Sequence, residues 1–235
     1  MKLLAFDTST EVVSVAVQRT DSGARQLWQH SGQGGAKTST QLIPVIQDLM
    51  SQAGMRFAEL DAIVFGRGPG SFTGLRTACS VAQGLAYGAQ IKVLPIDTLL
   101  AVAEEARLQI APTQEHFQVT ALLDARMDEM YLARYEFQHG QWIQRGEYDL
   151  LRPEELQGDA QCRLAGNVFD CYSMRLPVVL TQRFNAWPTA TAMLRLAPVL
   201  LASGAAVEPA LALPLYLRDK VAQTTLERAA QKGIL

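Results

Sequence analysis

Histidine and cysteine are scarce in this chain of 235 residues, which has three of each. The histidines His30, His116 and His139 are far apart, and none lies three or four residues from another, so the spacing of a histidine-based metal site is absent. The cysteines form no C-x-x-C pair, and the sequence does not open with a charged segment followed by an apolar run. These absences predict no metal site and a reduced, cytoplasmic protein.

Long apolar runs and clusters of one charge sign are also missing. No stretch reaches the roughly 18 apolar residues that a membrane span requires. The formal net charge is −2, and the 21 lysines and arginines are scattered along the chain rather than grouped. Proteins that bind nucleic acid by themselves usually present a basic surface. We therefore expect no membrane contact and no independent binding to nucleic acid.

The most informative stretch is 61–88, where a short apolar strand leads into a glycine-rich turn and then a helix. The turn, GRGPG at 66–70, does not match the dinucleotide template G-x-G-x-x-G, because Ser71 or Thr73 stands where the third glycine belongs. The stretch has no lysine, which the loop of P-loop nucleotidases requires. Either the turn holds an anion at the helix N-terminus, or its glycines only make a tight turn that Ser71 or Thr73 caps.

Two helices are predicted in the first half of the chain, over 38–53 and 71–88. The second has a small residue at every fourth position, which places these residues on one narrow stripe. The first has an apolar stripe that is broader than a one-sided surface helix needs. Each stripe either covers the protein's own sheet or packs against another protein. The stripe residues are Leu42, Val45, Ile46 and Leu49 on the first helix, and Gly74, Ala78, Ala82 and Ala86 on the second.

The order of predicted elements indicates an α/β fold with two subdomains. Residues 1–110 follow the order β-β-β-α-β-α-β-α, which is typical of a layered α/β subdomain. Residues 111–220 partly repeat this order with a strand, an acidic turn at Asp124 and a hairpin, so a second, related subdomain is predicted. The charged residues 221–235 are predicted to form a flexible tail.

The first strand ends in a polar turn, Asp7-Thr8-Ser9-Thr10, which two antiparallel strands follow. This opening resembles that of the actin-like, sugar-kinase-like ATPase fold, in which the acid and the hydroxyls face phosphate and metal. Asp7, Thr8, Ser9 and Thr10 are therefore candidate phosphate-facing residues. The alternative is an ordinary turn whose side chains satisfy local backbone groups.

No catalytic constellation is evident from the spacing of the remaining residues. Ser71 does not lie in a G-x-S-x-G elbow, and no histidine is placed to activate it. Asp97 and Asp124 adjoin strands, where carboxylates more often belong to turns and helix caps. We therefore predict no catalytic residue.

Five segments together resemble the TsaB (YeaZ) family: 4–10 (LAFDTST), 41–44 (QLIP), 68–76 (GPGSFTGLR), 124–126 (DAR) and 216–218 (YLR). The resemblance spans nearly the whole chain, and GPGSFTGLR is its most specific part. It implies an actin-like ATPase (ASKHA, ribonuclease H-like) fold with two related subdomains, similar to that of the catalytic subunit TsaD. TsaD has a pair of metal-binding histidines on the helix that corresponds to 38–53, and this chain has none there.

The resemblance also implies a subunit without its own catalytic centre, and therefore not an enzyme by itself. The family pairs with TsaD and, together with the ATPase TsaE, transfers threonylcarbamoyl to the adenosine next to the anticodon in tRNAs that read codons beginning with A. ATP and a metal ion are then used by the partner subunits, and this chain needs no cofactor. The tRNA is contacted only through the complex.

Within the family the partners join through the N-terminal helices, and self-pairing uses the same surface. The resemblance therefore assigns the two stripes defined above to a partner interface. Under this interpretation Ala78→Arg or Ala82→Arg abolishes pairing and leaves a folded monomer, whereas the same change in a core unfolds the protein. Two alternatives remain, a small-molecule kinase or ATPase of the same fold and a glycoprotease-like hydrolase.

Overall fold

The computed structural model describes residues 1–21, 23–35 and 38–218, and the predicted tail at 221–235 lies outside them. The first half of the chain forms a five-stranded sheet with the order β3-β2-β1-β4-β5. The two predicted helices begin and end within one residue of their expected bounds. The elements are β1 (Lys2–Asp7), β2 (Val12–Asp21), β3 (Ala24–Gln33), α1 (Thr38–Gln52), β4 (Ala62–Gly68), α2 (Phe72–Ala89), β5 (Val93–Asp97) and α3 (Thr98–Ile110).

The second half of the chain repeats this topology. Its sheet has the order β8-β7-β6-β9-β10, and in both sheets the central strand pairs antiparallel with a hairpin on one side and parallel with later strands on the other. The repeated order confirms the predicted α/β fold with two related subdomains. The elements are β6 (His116–Arg126), β7 (Glu129–Gln138), β8 (Gln141–Leu151), β9 (Arg163–Gly166), α4 (Phe169–Tyr172), β10 (Gln182–Asn185) and α5 (Ala190–Ala202). Within the described ranges, no helix is long and apolar enough to cross a membrane.

The helices do not follow the predicted boundary at residue 110. Helix α3 comes from the first half, yet Val102 belongs to the same hydrophobic cluster as Phe117 of β6 in the second sheet. Helix α5 comes from the second half, yet Met193 shares a cluster with Leu3 of β1 in the first sheet. A cut at residue 110 would therefore separate each helix from strands that it covers.

A buried glutamate joins the two halves where α3 and α5 meet. The carboxylate of Glu104 on α3 accepts hydrogen bonds from Arg107 Nε (3.0 Å), Arg195 Nε on α5 (2.9 Å) and Trp142 Nε1 on β8 (3.0 Å). A charge can be buried at this depth because both carboxylate oxygens have partners. The group therefore links helices and sheet across the predicted boundary.

The stripes on α1 and α2 face the protein's own core. The side chains of Leu42, Ile46 and Leu49 lie in one buried cluster with the alanines of α2, and Val45 packs half-buried against the same cluster. The small residues let α2 lie close to β4 and α1. The interpretation of these side chains as a partner interface is therefore wrong for the seven that are buried, and for Val45 it stays a prediction. The residues that it named and that are buried are Leu42, Ile46, Leu49, Gly74, Ala78, Ala82 and Ala86.

We expect Ala82→Arg to unfold the protein, because Ala82 is fully buried and the variant would place an unpaired cation in the core. The cost is on the order of 5 kcal/mol or more, comparable to the whole stability of a typical domain. Circular dichroism and thermal unfolding measure the effect.

Gly84→Arg is the matched control, because Gly84 lies two residues further along the same helix on its exposed side. We expect this variant to keep the wild-type spectrum. A cooperative unfolding transition at the wild-type temperature in Ala82→Arg would show that the stripe is not core.

Candidate functional site

The glycine-rich loop is packed directly onto the turn between β1 and β2. The Ser71 N–H donates to the carbonyl of Ser9 (2.7 Å), and the Thr8 hydroxyl donates to the carbonyl of Gly74 (2.7 Å). A Cβ atom on Gly70 would lie 2.6 Å from the Ser9 carbonyl oxygen, and one on Gly74 would lie 1.9 Å from that of Thr8. The sequence therefore needs glycine at both positions so that two backbone segments can touch. Of the two interpretations of the glycine-rich turn, anion binding or a tight turn, the tight turn accounts for Gly70 and Gly74.

Asp7 is fully buried under this contact. Its Oδ1 accepts hydrogen bonds from the Ser9 N–H (2.8 Å) and the Ser9 hydroxyl (2.6 Å). A Cβ atom on Gly66 would lie only 1.8 Å from Oδ2, so the loop covers the other side of the carboxyl. Burial raises the pKa of Asp7 to about 6, and the hydrogen bonds from Ser9 offset this only in part.

The four candidate phosphate-facing residues do not act together. Asp7, Thr8 and Ser9 are buried. The two hydroxyls and Asp7 Oδ1 are bonded within the turn or to α2, whereas Asp7 Oδ2 is buried under Gly66 without a hydrogen-bond partner among the described residues. The expectation that they present phosphate ligands is therefore wrong for these three. Thr10 is half-buried, and its hydroxyl donates to the carbonyl of Val12 (3.2 Å) while its side chain lines a cleft.

Asp97 is the last residue of β5, beside the same loop, and its carboxylate has structural partners. It forms an ion pair with Arg67 and accepts a hydrogen bond from the Tyr148 hydroxyl on β8. The next residue, Thr98, accepts a hydrogen bond from the Gly68 N–H (3.1 Å). The carboxylate thus fastens the glycine-rich loop to both halves of the chain.

A cleft of about 450 Å³ lies between the two halves. Four of the five segments that resemble the TsaB family contribute to its walls, although they are far apart in the sequence. The convergence is a tertiary property, because the fold brings the turns of both halves to the same edge. The lining residues from these segments are Ser9, Thr10, Gly70, Ser71, Phe72, Leu75, Asp124, Ala125, Arg126, Tyr216, Leu217 and Arg218.

A hydrogen-bonded group bridges the mouth of the cleft. Glu11 accepts hydrogen bonds from Asn167 Nδ2 (3.1 Å) and Trp187 Nε1 (3.1 Å), which both belong to the second half. Asn167 Oδ1 in turn accepts from the backbone N–H of Asp124 (2.9 Å). Sequence reasoning did not identify Glu11, Asn167 or Trp187 as site residues. No local pattern marks them, because each finds its partner more than 40 positions away.

The turn that follows Asp124 has an unusual backbone. Arg126, Met127 and Asp128 have φ angles of 60°, 56° and 62°, which side chains other than glycine seldom adopt. Arg218 pairs with Glu129 and donates to the carbonyl of Arg126 (3.3 Å), and it thereby holds the turn in place. The DAR and YLR segments therefore support each other.

The segment 212–218 contacts both α2 and this turn. The Leu215 N–H donates to the carbonyl of Arg67 (2.7 Å), and the Tyr216 ring lies 5.3 Å from that of Phe72. The Tyr216 hydroxyl accepts a hydrogen bond from Arg76 Nε (3.1 Å). The segment thus covers the glycine-rich loop from outside. In the part of the chain that the structure describes, no group of three His, Cys, Asp or Glu side chains could hold a metal ion.

We expect Asp7→Asn to stabilise the protein near neutral pH. The pKa of Asp7 rises from its ordinary value of 3.8 to about 6 on folding, and two pKa units correspond to about 3 kcal/mol. Because the folded state binds this proton more tightly, the contribution of Asp7 to the free energy of unfolding falls as pH rises from about 4 to about 6. Urea unfolding at pH 4 to 8 should therefore show a gain for the variant at pH 7.5 and little difference at pH 4.

Asp48→Asn, at an exposed position on α1, is the control for the loss of one carboxylate. It should not change the pH dependence of unfolding by a comparable amount. A stability difference between wild type and Asp7→Asn that stays constant from pH 4 to 8 would contradict the assignment.

Comparisons with known proteins agree with this architecture. A family model described as "TsaD: tRNA N6-adenosine threonylcarbamoyltransferase" matches residues 30–232. The chain is 34% identical to the tRNA threonylcarbamoyladenosine biosynthesis protein TsaB of Haemophilus influenzae, over 94% of this chain and 95% of that protein. It is 32% identical to TsaB of Escherichia coli, over 94% and 96% of the two chains.

The fold is also similar to that of a solved structure. YeaZ from Pseudomonas aeruginosa superposes with a TM-score of 0.79 and 37% sequence identity, and the match covers 92% of this chain and 99% of that one. The sequence match to TsaB of Haemophilus influenzae and the structural match to YeaZ each cover more than nine tenths of this chain. The chain therefore belongs to the TsaB (YeaZ) family of tRNA threonylcarbamoyladenosine biosynthesis proteins.

Proposed function

We propose that this chain is a non-catalytic subunit that pairs with TsaD and acts with TsaE. The complex transfers threonylcarbamoyl to the adenosine next to the anticodon in tRNAs that read codons beginning with A. TsaD and TsaE use the ATP and the metal ion, and tRNA is bound by the complex rather than by this chain alone. Because the substrate is tRNA, the proposed location is the cytoplasm.

The closed loop supports the non-catalytic part of this proposal. In the actin-like fold the turn after the first strand faces phosphate. Here the glycine-rich loop is bonded to that turn through Ser71 and Ser9, and Asp7 is buried behind it. A phosphate that entered would have to displace a backbone hydrogen bond and expose a buried carboxyl, which disfavours phosphoryl transfer at this position.

The solvent side of α2 is the observation on which the pairing proposal rests. Gly84 and Gly88 lie on this side, and neither has a positive φ that would require glycine. Within the described ranges, a Cβ atom at either position would have no atom outside the helix backbone within 4 Å. Glycine in a helix costs about 1 kcal/mol relative to alanine. No neighbour among residues 1–21, 23–35 and 38–218 compensates this cost, but it is offset if another backbone approaches α2 closely.

Two large side chains on α1 and α2 are also exposed. Tyr87 is 81% exposed, and Ile43 on the neighbouring helix α1 is 41% exposed. Tyrosine and other large apolar side chains are typical anchors of protein interfaces. We call this surface the docking face, and it consists of Ile43, Gln47, Thr73, Thr77, Ser80, Gly84, Tyr87 and Gly88. It lies on the opposite side of α2 from the alanine stripe.

We expect Gly84→Arg to prevent pairing and to leave the monomer folded. Arginine favours the helix over glycine by up to about 1 kcal/mol, so thermal stability should not fall. The long side chain should keep a partner helix from approaching. Size-exclusion chromatography with light scattering, on a mixture with the TsaD counterpart, should show a heterodimer for wild type and separate species for the variant.

Val199→Arg, on the exposed part of α5, is the control for an added surface cation. It should pair as the wild type does. Retained pairing in Gly84→Arg would show that the docking face is not the interface, and the absence of a heterodimer with wild type would overturn the partner proposal. The same experiment without TsaD reports whether a second copy of the chain occupies the docking face.

A further inference from the structure

Strand β3 forms one edge of the first sheet. It pairs with β2 over its whole length without a register shift, and in the part of the chain that the structure describes no strand pairs with its other side. Just beyond the strand, the Gly34 N–H donates to the carbonyl of Glu11 next to β2 (2.7 Å). Because hydrogen-bonded positions alternate along an antiparallel pair, every second residue of β3 directs its N–H and C=O away from β2. We call these the outward residues, and they are Arg25, Leu27, Gln29, Ser31 and Gln33.

The outward residues leave a row of free backbone groups. Their outward N–H and C=O groups have no hydrogen-bond partner among residues 1–21, 23–35 and 38–218. All five residues are exposed. A long exposed edge is unusual in a folded protein, because its free donors and acceptors can pair with another strand. The edge of β3 therefore calls for an occupant.

The other three sheet edges are short, covered or irregular. Strand β10 has only four residues. Strand β5 is covered by two backbone hydrogen bonds between Val93 and Val207. Strand β8 has a register shift in its pairing with β7 and has three charged residues. Such features prevent pairing between edges. Strand β3 has no lysine, proline or acidic residue, and Arg25 near its start is its one cation apart from His30.

We propose that β3 pairs antiparallel with β3 of a second copy of this chain, about a twofold axis at Gln29. A twofold contact requires an edge that is complementary to itself. With the axis at Gln29, Arg25 lies opposite the partner's Gln33, and Leu27 lies opposite the partner's Ser31. Only this register pairs all the outward residues. It gives about ten backbone hydrogen bonds, as many as a typical protein interface has.

The side chains that meet in this register are compatible. No two charges of the same sign lie opposite each other, because Arg25 faces an amide. The partner's Trp28 lies opposite His30 at a position without backbone hydrogen bonds between the two strands, where side chains come closest across a sheet. Aromatic pairs across neighbouring strands stabilise a sheet. The sequence of β3 thus favours pairing with itself.

A cavity of about 380 Å³ lies beside the same part of β3, next to the start of α1. His30 and Gly32 of β3 contribute to its wall. Because the partner's Trp28 lies opposite His30, its ring reaches the cavity in the pair, and tryptophan is a frequent anchor of protein interfaces. The apolar lining of the cavity consists of Val13, Leu42, Pro44 and Val45.

The first test uses the isolated full-length chain with Gly84→Arg, so that the docking face is blocked and the result does not depend on TsaD. Sedimentation equilibrium should show a monomer and a dimer. Gln29→Lys and Gln29→Glu should each weaken the dimer severalfold, because like charges meet at the axis. An equal mixture of the two should restore association, because opposite charges then meet. Both variants should keep the melting temperature, since Gln29 is exposed.

Gln141→Lys, at an exposed position on the edge strand β8, is the matched control and should leave the dimer affinity within twofold. A chain that stays monomeric up to about 1 mM overturns the proposal. So does a dimer that Gln29→Lys weakens no more than Gln141→Lys does.

A disulfide tests the register, in the same chain with Cys162→Ser and Cys171→Ser. Gln29→Cys should form a covalent dimer under mild oxidation, because paired Cα atoms at the axis lie about 5.5 Å apart, within the range of a disulfide. Gln33→Cys is the control, because its two copies would lie roughly 27 Å apart at about 3.4 Å per residue. Cross-linking at Gln33→Cys but not at Gln29→Cys would contradict the proposed pairing.

Discussion

The contact between the glycine-rich loop and the turn after β1 is the constraint on which the site depends. Gly70 and Gly74 allow the loop to approach Ser9 and Thr8 so closely that a single Cβ atom would prevent it. This contact sets where α2 begins, and thereby which side of α2 faces the core. It also buries Asp7. One steric requirement thus accounts for the glycines of the GPGSFTGLR segment, for the closed turn after β1 and for the orientation of α2.

The two halves of the chain have the same topology, and each half stabilises the other. Each sheet has the same strand order, but α3 and α5 pack against strands from the other half, and Glu104 joins them to Trp142 on β8. Relative movement of the halves would break this buried ionic group, which is costly because each remaining charge would lose its partner. The two halves are therefore linked both in the core, through Glu104, and beside the cleft, through the hydrogen bonds that Glu11 accepts from Asn167 and Trp187.

Helix α2 has small residues on two sides, and they serve different purposes. Ala78 and Ala82 allow the helix to pack closely on its own sheet. Gly84 and Gly88 lie on the solvent side, where no neighbour within the described chain requires them. A helix with small residues on two faces can pack closely against its own sheet and against a partner protein at the same time. The proposed subunit role and the family membership are consistent with this arrangement, and substitutions on the two sides separate folding from pairing.

The sequence by itself determined most of the elements of the first half, the partly repeated order of strands and the family, because periodicity and short motifs are local properties. It also identified α1 and α2 as helices that must be packed. Only the tertiary structure decided that the stripe with Ala82 is core and that the side with Gly84 is exposed, since a row of small residues favours close packing against any neighbour. The same holds for Glu11, Asn167 and Trp187, which become one group only when distant segments meet. Whether a side chain is buried depends on the whole fold, so a local sequence pattern cannot predict it.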